Sequence, residues 1–146
     1  MKHLYLVALA LVSFLLIAPM TALAEYAEQT VVYHVNYNEL DRHIAAMGNI
    51  QNHINAVGAE KMDIRVVMHG PGLSLLRNAK EHPDLAGRID ELKLQGVDFN
   101  ICSVTVSRGN ITITDELYDA SDADIVPSGV AEIAHLQQQG FVYLRP

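Results

Sequence analysis

The 146-residue chain has no tryptophan, a single cysteine, and only 10 lysines and arginines against 17 aspartates and glutamates. One thiol cannot close a disulfide within the chain, so the fold must rest on its apolar core. The shortage of cations leaves a formal net charge of −7 with no Lys/Arg cluster to offset it. Such a surface repels phosphate backbones and anionic lipid, which argues against nucleic acid as a partner. Aromatic residues make up only 6% of the chain, too few for a platform that stacks bases or sugars.

Other chemistries are missing as patterns. There is no Walker or dinucleotide fingerprint, and no Ser/His/Asp arrangement or paired carboxylates of glycosidase type. Histidines are present, but not at ligand spacing. His43 and His53 share one helical segment ten residues apart, His34 lies in an apolar strand, His82 precedes Pro83, and His135 stands alone. Two ligands on one helix face need a separation of three or four. The acidic run Asp115, Glu116, Asp119, Asp122 and Asp124 lacks the glycine and terminal glutamate of a calcium loop. No metal and no other cofactor is expected.

What is present begins with an export signal. Lys2 supplies a positive start, Leu4 through Ala18 form an apolar stretch, and Pro19, Met20 and Thr21 interrupt it before Ala22-Leu23-Ala24. This is the three-part pattern of a signal peptide with an A-x-A cleavage site. The stretch is short for a membrane span, which takes about 20 residues. Residues 1–24 are therefore expected to be removed, with the mature chain starting at Glu25 in the periplasm or outside the cell. Residues 25–146 suit a single domain with one core. Losing Lys2 takes its net charge to −8.

Strand-like and helix-like segments alternate along the rest. Thr30 to Asn36 is β-branched and mostly apolar, as in a strand covered on both faces. Glu39 to Val57 reads as a helix, with Leu40, Ile44, Met47, Ile54 and Val57 on one stripe and Gly58 as the stop. Met62 to His69 is a second strand, ending in the turn Gly70-Pro71-Gly72. Leu73 to Lys80 is a short helix, and Pro83 opens another that runs to about Gln95. Val97 to Ile101 is a third strand reaching Cys102. The next stretch reads two ways, as a hairpin about Ser107-Arg108-Gly109-Asn110 or as a short helix ending at Gly109. Asp124 to Val126 is a brief strand, Ser128 N-caps a last helix running to Gln139, and Phe141 to Leu144 closes the chain as a strand. Strands separated by helices predict a three-layer α/β/α fold of flavodoxin-like type, with a mostly parallel sheet of roughly five strands.

Cys102 is the leading candidate for chemistry. It follows a central strand, and ligands bind at the carboxyl ends of strands in parallel sheets. A helix starting after it would favour the thiolate, and Arg108 would add positive charge by folding back. The competing reading is an inert buried thiol, since cysteine is among the most buried residue types. His69 ends the preceding strand, from where an imidazole would exchange a proton with the thiol. The backbone of Gly70 and Gly72 offers N–H groups to a small anion.

Three segments carry a resemblance: His69-Gly70-Pro71-Gly72, Gly96 through Cys102, and Val126-Pro127-Ser128-Gly129-Val130 onward to Pro146. With Asn49-Ile50 and Asn52 of the first helix, they resemble the DsrE/DsrF-like family, and within it a small, often exported branch. The resemblance implies a DsrEFH-like parallel sheet, assembly into homotrimers or homohexamers, and a persulfide carried on the residue at the Cys102 position. It also implies a helix from Ser103 to Arg108. Three functions follow as alternatives. The first is a sulfur carrier or thiol-redox protein that trades sulfur with donor and acceptor proteins. The second is a small-ligand-binding module, and the third a structural oligomeric subunit. A carrier or binder is expected rather than a turnover enzyme, free of the membrane after cleavage.

Overall fold

The computed structural model describes residues 26–146, so the expected signal peptide and its cleavage site lie outside the described residues. Five parallel strands form one sheet: β1 (Gln29–Val35), β2 (Met62–Met68), β3 (Asp98–Cys102), β4 (Ile125–Val126) and β5 (Val142–Leu144). Their order is β4-β3-β2-β1-β5. The helices are α1 (Leu40–Val57), α2 (Ser74–Glu81), α3 (Pro83–Leu94), α4 (Ser103–Gly109), the single turn α5 (Ile113–Glu116) and α6 (Gly129–Gln138). The fold is the expected three-layer α/β/α arrangement.

Strand order explains why the layers are unequal. From β1 to β4 the chain steps outward in one direction, so right-handed crossovers keep the intervening helices on one face. To reach β5 beside β1 it must step back across the sheet, which sends α6 to the opposite face. The first face packs Val31, Tyr33, Val35, Ile64, Val66, Met68, Phe99 and Ile101 against buried residues of α1, α2 and α3. The second packs Val32 and Val67 against Ile133 and Leu136 of α6, with Phe141 alongside. Residues alternate between faces along each strand. His34 is therefore on the α6 face, paired in register with Val67 of β2.

Two glycines permit close approaches. A Cβ on Gly72 would lie 2.0 Å from the carbonyl oxygen of Val35, so only glycine lets the turn after β2 lie against the end of β1. A Cβ on Gly129 would lie 2.9 Å from the Cβ of His69 and 3.3 Å from that of Cys102, so α6 starts directly on these two residues.

Several boundaries differ from the sequence expectation. β3 includes Cys102, and the open question of the segment after it resolves as helix rather than hairpin. Val104 and Val106 are poor helix formers, yet Val106 packs against the main core, and Asn110 ends the helix in the left-handed region at φ 48°. Gly70–Leu73 is a 3-10 turn leading straight into α2. Ser128 N-caps α6, its hydroxyl accepting the N–H of Ala131 at 3.4 Å.

Candidate functional site

β3 and β4 are neighbours whose onward connections leave on opposite faces, α4 towards the main core and α6 towards the other side. The gap above such a reversal is where open parallel sheets hold ligands, because two loops part there and two helix N-termini converge. Cys102 occupies that point. A cavity of about 460 Å³ opens on it, walled by His69, Gly70, Thr105 and Arg108. Val104 and Val130 also line it; they are 41% and 64% exposed, which makes the rim apolar.

Cys102 is only 4% exposed. Burial by itself pushes a thiol pKa up, by denying the thiolate its water. Against that act the Thr105 hydroxyl, the backbone N–H of Gly129, and the N–H groups of Thr105 and Val104, and together they hold the thiol below its ordinary value. Cys102 is also the N-cap residue of α4, yet its side chain closes no capping hydrogen bond. The donors therefore count chiefly for the charged form, where attraction between N–H or O–H and S⁻ is strongest. The ring consists of neutral donors, three of them from the first residues of α4 and one from the start of α6.

Thr105 is fixed for this task. Its Oγ accepts the N–H of Gly70 at 2.8 Å, leaving the hydroxyl proton to point elsewhere. The N–H of Gly72 is likewise engaged, donating to the His69 carbonyl at 3.0 Å. The two glycine N–H groups expected to meet an anion thus both have partners within the fold. Gly70 still contributes to the cavity wall, whereas Gly72 packs against Val35.

His69 and Cys102 come together as expected. Both approach the Gly129 backbone, and the separation of their Cβ atoms is bounded by the sum of the two Gly129 distances above. His69 is not alone. Its Nε2 lies 2.7 Å from Nε2 of His34, and the His34 Nδ1 lies 2.7 Å from the Tyr143 hydroxyl. The two imidazole rings are 4.7 Å apart between centroids and inclined by 25°. Burial, then the neighbouring His69 and Arg145, push the His34 pKa down to about 4. Burial also lowers that of His69.

His34 and Tyr143 were not among the residues the sequence singled out. The available signal was strand parity, which sets His34 opposite Val31, Tyr33 and Val35, together with the return of the last strand to β1. Among the described residues no group of three His, Cys, Asp or Glu side chains is placed to hold a metal ion. No helix among them is long and apolar enough to cross a membrane.

A solved structure similar to this chain is that of MTH1491, a protein of unknown function from Methanobacterium thermoautotrophicum. It is 31% identical, covers 82% of this chain and 100% of its own, and superposes with a TM-score of 0.69. No curated protein is significantly similar. The model of the DsrE/DsrF-like family matches residues 33–146, a span that takes in all five strands except the start of β1, and with them His34, His69, Cys102 and Tyr143. The chain belongs to the DsrE/DsrF-like family.

Proposed function

We propose that this protein is an exported sulfur carrier or thiol-redox protein in which Cys102 bears the sulfur as a persulfide. The observation that carries the reading is the set of donors around the thiol, which lowers its pKa against the effect of burial. A structural thiol gains nothing from such donors, whereas a nucleophile needs its thiolate. The Cys102 thiolate attacks the outer, sulfane sulfur of a persulfide or thiosulfate donor. A Cys102 S–S bond forms as the donor's S–S bond breaks, and the donor leaves as a thiolate or as sulfite. The sulfur arrives already at its oxidation level, so no separate oxidant is required. Attack by an acceptor thiolate on the outer sulfur releases Cys102 again. His69 serves as the proton acceptor and Arg108 favours anionic donors at the cavity wall. The assembly is a homotrimer or homohexamer, and it acts in the periplasm or outside the cell once residues 1–24 are removed.

Intact mass of the mature protein after exposure to polysulfide or thiosulfate tests this. The expected result is a gain of one sulfur atom that reductant reverses and Cys102→Ser abolishes. A native thiol that gains no sulfur and resists alkylation until the protein unfolds would overturn it. The buried position of Cys102 beside a cavity with an apolar rim favours one other reading, a module that holds a small ligand without covalent chemistry. Ligand-dependent stabilisation of a protein whose thiol is inert would select it.

A further inference from the structure

Two imidazole nitrogens 2.7 Å apart must share one hydrogen, since two protons would repel and two bare lone pairs would gain nothing. The same holds at the Tyr143 hydroxyl and the His34 Nδ1, also at 2.7 Å. The links form one unbranched chain from the Cys102 cavity, where His69 is a wall residue, to Tyr143 on the open edge strand β5, 37% exposed. We propose that His69, His34 and Tyr143 form a proton-transfer chain joining the Cys102 cavity to solvent at the β5 edge of the sheet. It rests on the thiol reading above, because the proton it carries is that of Cys102.

The chain has two arrangements of the same atoms. In one, the His69 Nε2–H donates to His34 Nε2, the His34 Nδ1–H donates to the Tyr143 oxygen, and His69 Nδ1 is bare. In the other, the Tyr143 hydroxyl donates to His34 Nδ1, the His34 Nε2–H donates to His69 Nε2, and His69 Nδ1 carries a proton. The first becomes the second when the thiol proton passes to His69 Nδ1, directly or through one water. The Nε2 proton of His69 then moves to His34, the Nδ1 proton of His34 moves to Tyr143, and Tyr143 gives up its original hydroxyl proton to solvent. One proton enters and one leaves, and none of the three residues ends with a charge. The reverse sequence returns a proton to the thiolate when the sulfur has been handed on.

The surroundings suit neutral carriers. Burial holds both histidines below their ordinary pKa, so neither traps the proton as imidazolium at neutral pH. The charged group acting on the chain is a cation, Arg145, which disfavours a charged His34, and Arg108 lines the same cavity as His69. Arg145 is itself tied to the Asn36 side-chain oxygen at 2.9 Å and 3.1 Å. A second exit is also needed. A donor seated in the cavity covers the thiol there, whereas neither His34 nor Tyr143 lines that cavity and Tyr143 reaches solvent apart from it.

The test is the pH–rate profile of Cys102 with an aromatic disulfide, dithiodipyridine, whose released thiopyridone is read by absorbance. Wild type is compared with Tyr143→Phe and His34→Gln, in H₂O and D₂O, with imidazole ¹⁵N spectra of each protein. At about pH 6, where the thiol must still lose its proton, both variants are expected to react on the order of 100-fold more slowly, the low end for loss of positioned proton transfer. The deficit should shrink towards high pH, where the thiolate needs no acceptor. The wild-type solvent isotope effect should involve more than one proton, and Tyr143→Phe should shift the His34 Nδ1 resonance. Variants that match wild type at about pH 6 would overturn the chain while leaving the thiol reading intact. A reactive Cys102 with the predicted profile that takes up no sulfane sulfur would sink the carrier reading and leave the chain standing. A thiol inert in wild type would remove both.

Discussion

The face of the sheet under α1, α2 and α3 and the face under α6 are built from different residue types, although the same strands supply both. On the first, β1, β2 and β3 contribute Val, Ile, Tyr, Met and Phe side chains, and three helices close over them. On the second, the buried apolar set shrinks to Val32, Val67, Ile133 and Leu136, and His34 shares the same strands. The contrast follows from topology. Every outward step adds a helix to one face, and a single return step supplies the other. The well-packed side is left to hold the fold, and the side with one helix has room for polar groups and a cavity.

Truncation on each face tests this division most strongly. Phe99 is among the largest fully buried side chains and sits in the main core. Phe99→Ala is expected to cost about 3–5 kcal/mol in denaturant unfolding. Ile133 is 8% exposed in the small cluster, so Ile133→Ala should fall near the lower limit for such changes, about 2 kcal/mol. Equal losses would break the comparison, because the face under α6 would then be as tightly packed as the other.

A smaller effect is expected at the start of α6, where the two functions of that helix meet. Gly129→Ala places a methyl group 2.9 Å from the Cβ of His69, and neither backbone can yield freely. Overpacking of this kind costs about 1–3 kcal/mol. Moving α6 outward also withdraws the Gly129 N–H from the Cys102 sulfur, so the thiol pKa should rise and alkylation near neutral pH should slow. Rate against pH for iodoacetamide checks this. A stability loss with no change in the rate profile would assign Gly129 to packing alone.

The two faces were also unequally legible in the sequence. The packed face announces itself through local periodicity: the stripe of α1 and the apolar runs of β1 and β2 need no knowledge of partners. Cys102 and His69 were legible as well, because each falls at the end of a strand, and the carboxyl edge of a parallel sheet is a place known before strand order is. His34 and Tyr143 were not. They meet because β5 returns beside β1, pairing Val32 with Tyr143, and that neighbour relation is a property of the crossover rather than of either segment. Thr105 and Gly129 escaped for a related reason. Their donors reach the sulfur only because α4 and α6 begin on either side of the reversal between β3 and β4, and the segment after Cys102 left helix and hairpin both open.

The smallest expected effect is a pH dependence of stability that separates the faces by their histidines. His43 lies on α1 on the packed side, fully buried, with its Nε2 3.0 Å from the Tyr37 carbonyl oxygen. Burial lowers its pKa, only partly offset by that hydrogen bond. His34 and His69 lie on the other side, also lowered, His34 to about 4. In the unfolded chain all three titrate near the ordinary value of about 6.5. Between that pH and the folded values the unfolded state binds more protons, so stability rises with pH across the window. It is complete above about pH 6.5 and is lost as the pH falls towards about 4. Replacing His34 by Asn removes one titrating group from the α6 face and should flatten part of this slope, leaving the shares that belong to His69 and His43. Urea midpoints measured across that range for both proteins provide the check. An unchanged slope would clear His34 and leave the acid sensitivity to His69 and to His43, whose imidazole stacks on the Tyr37 ring and meets the Tyr37 carbonyl oxygen on the packed face.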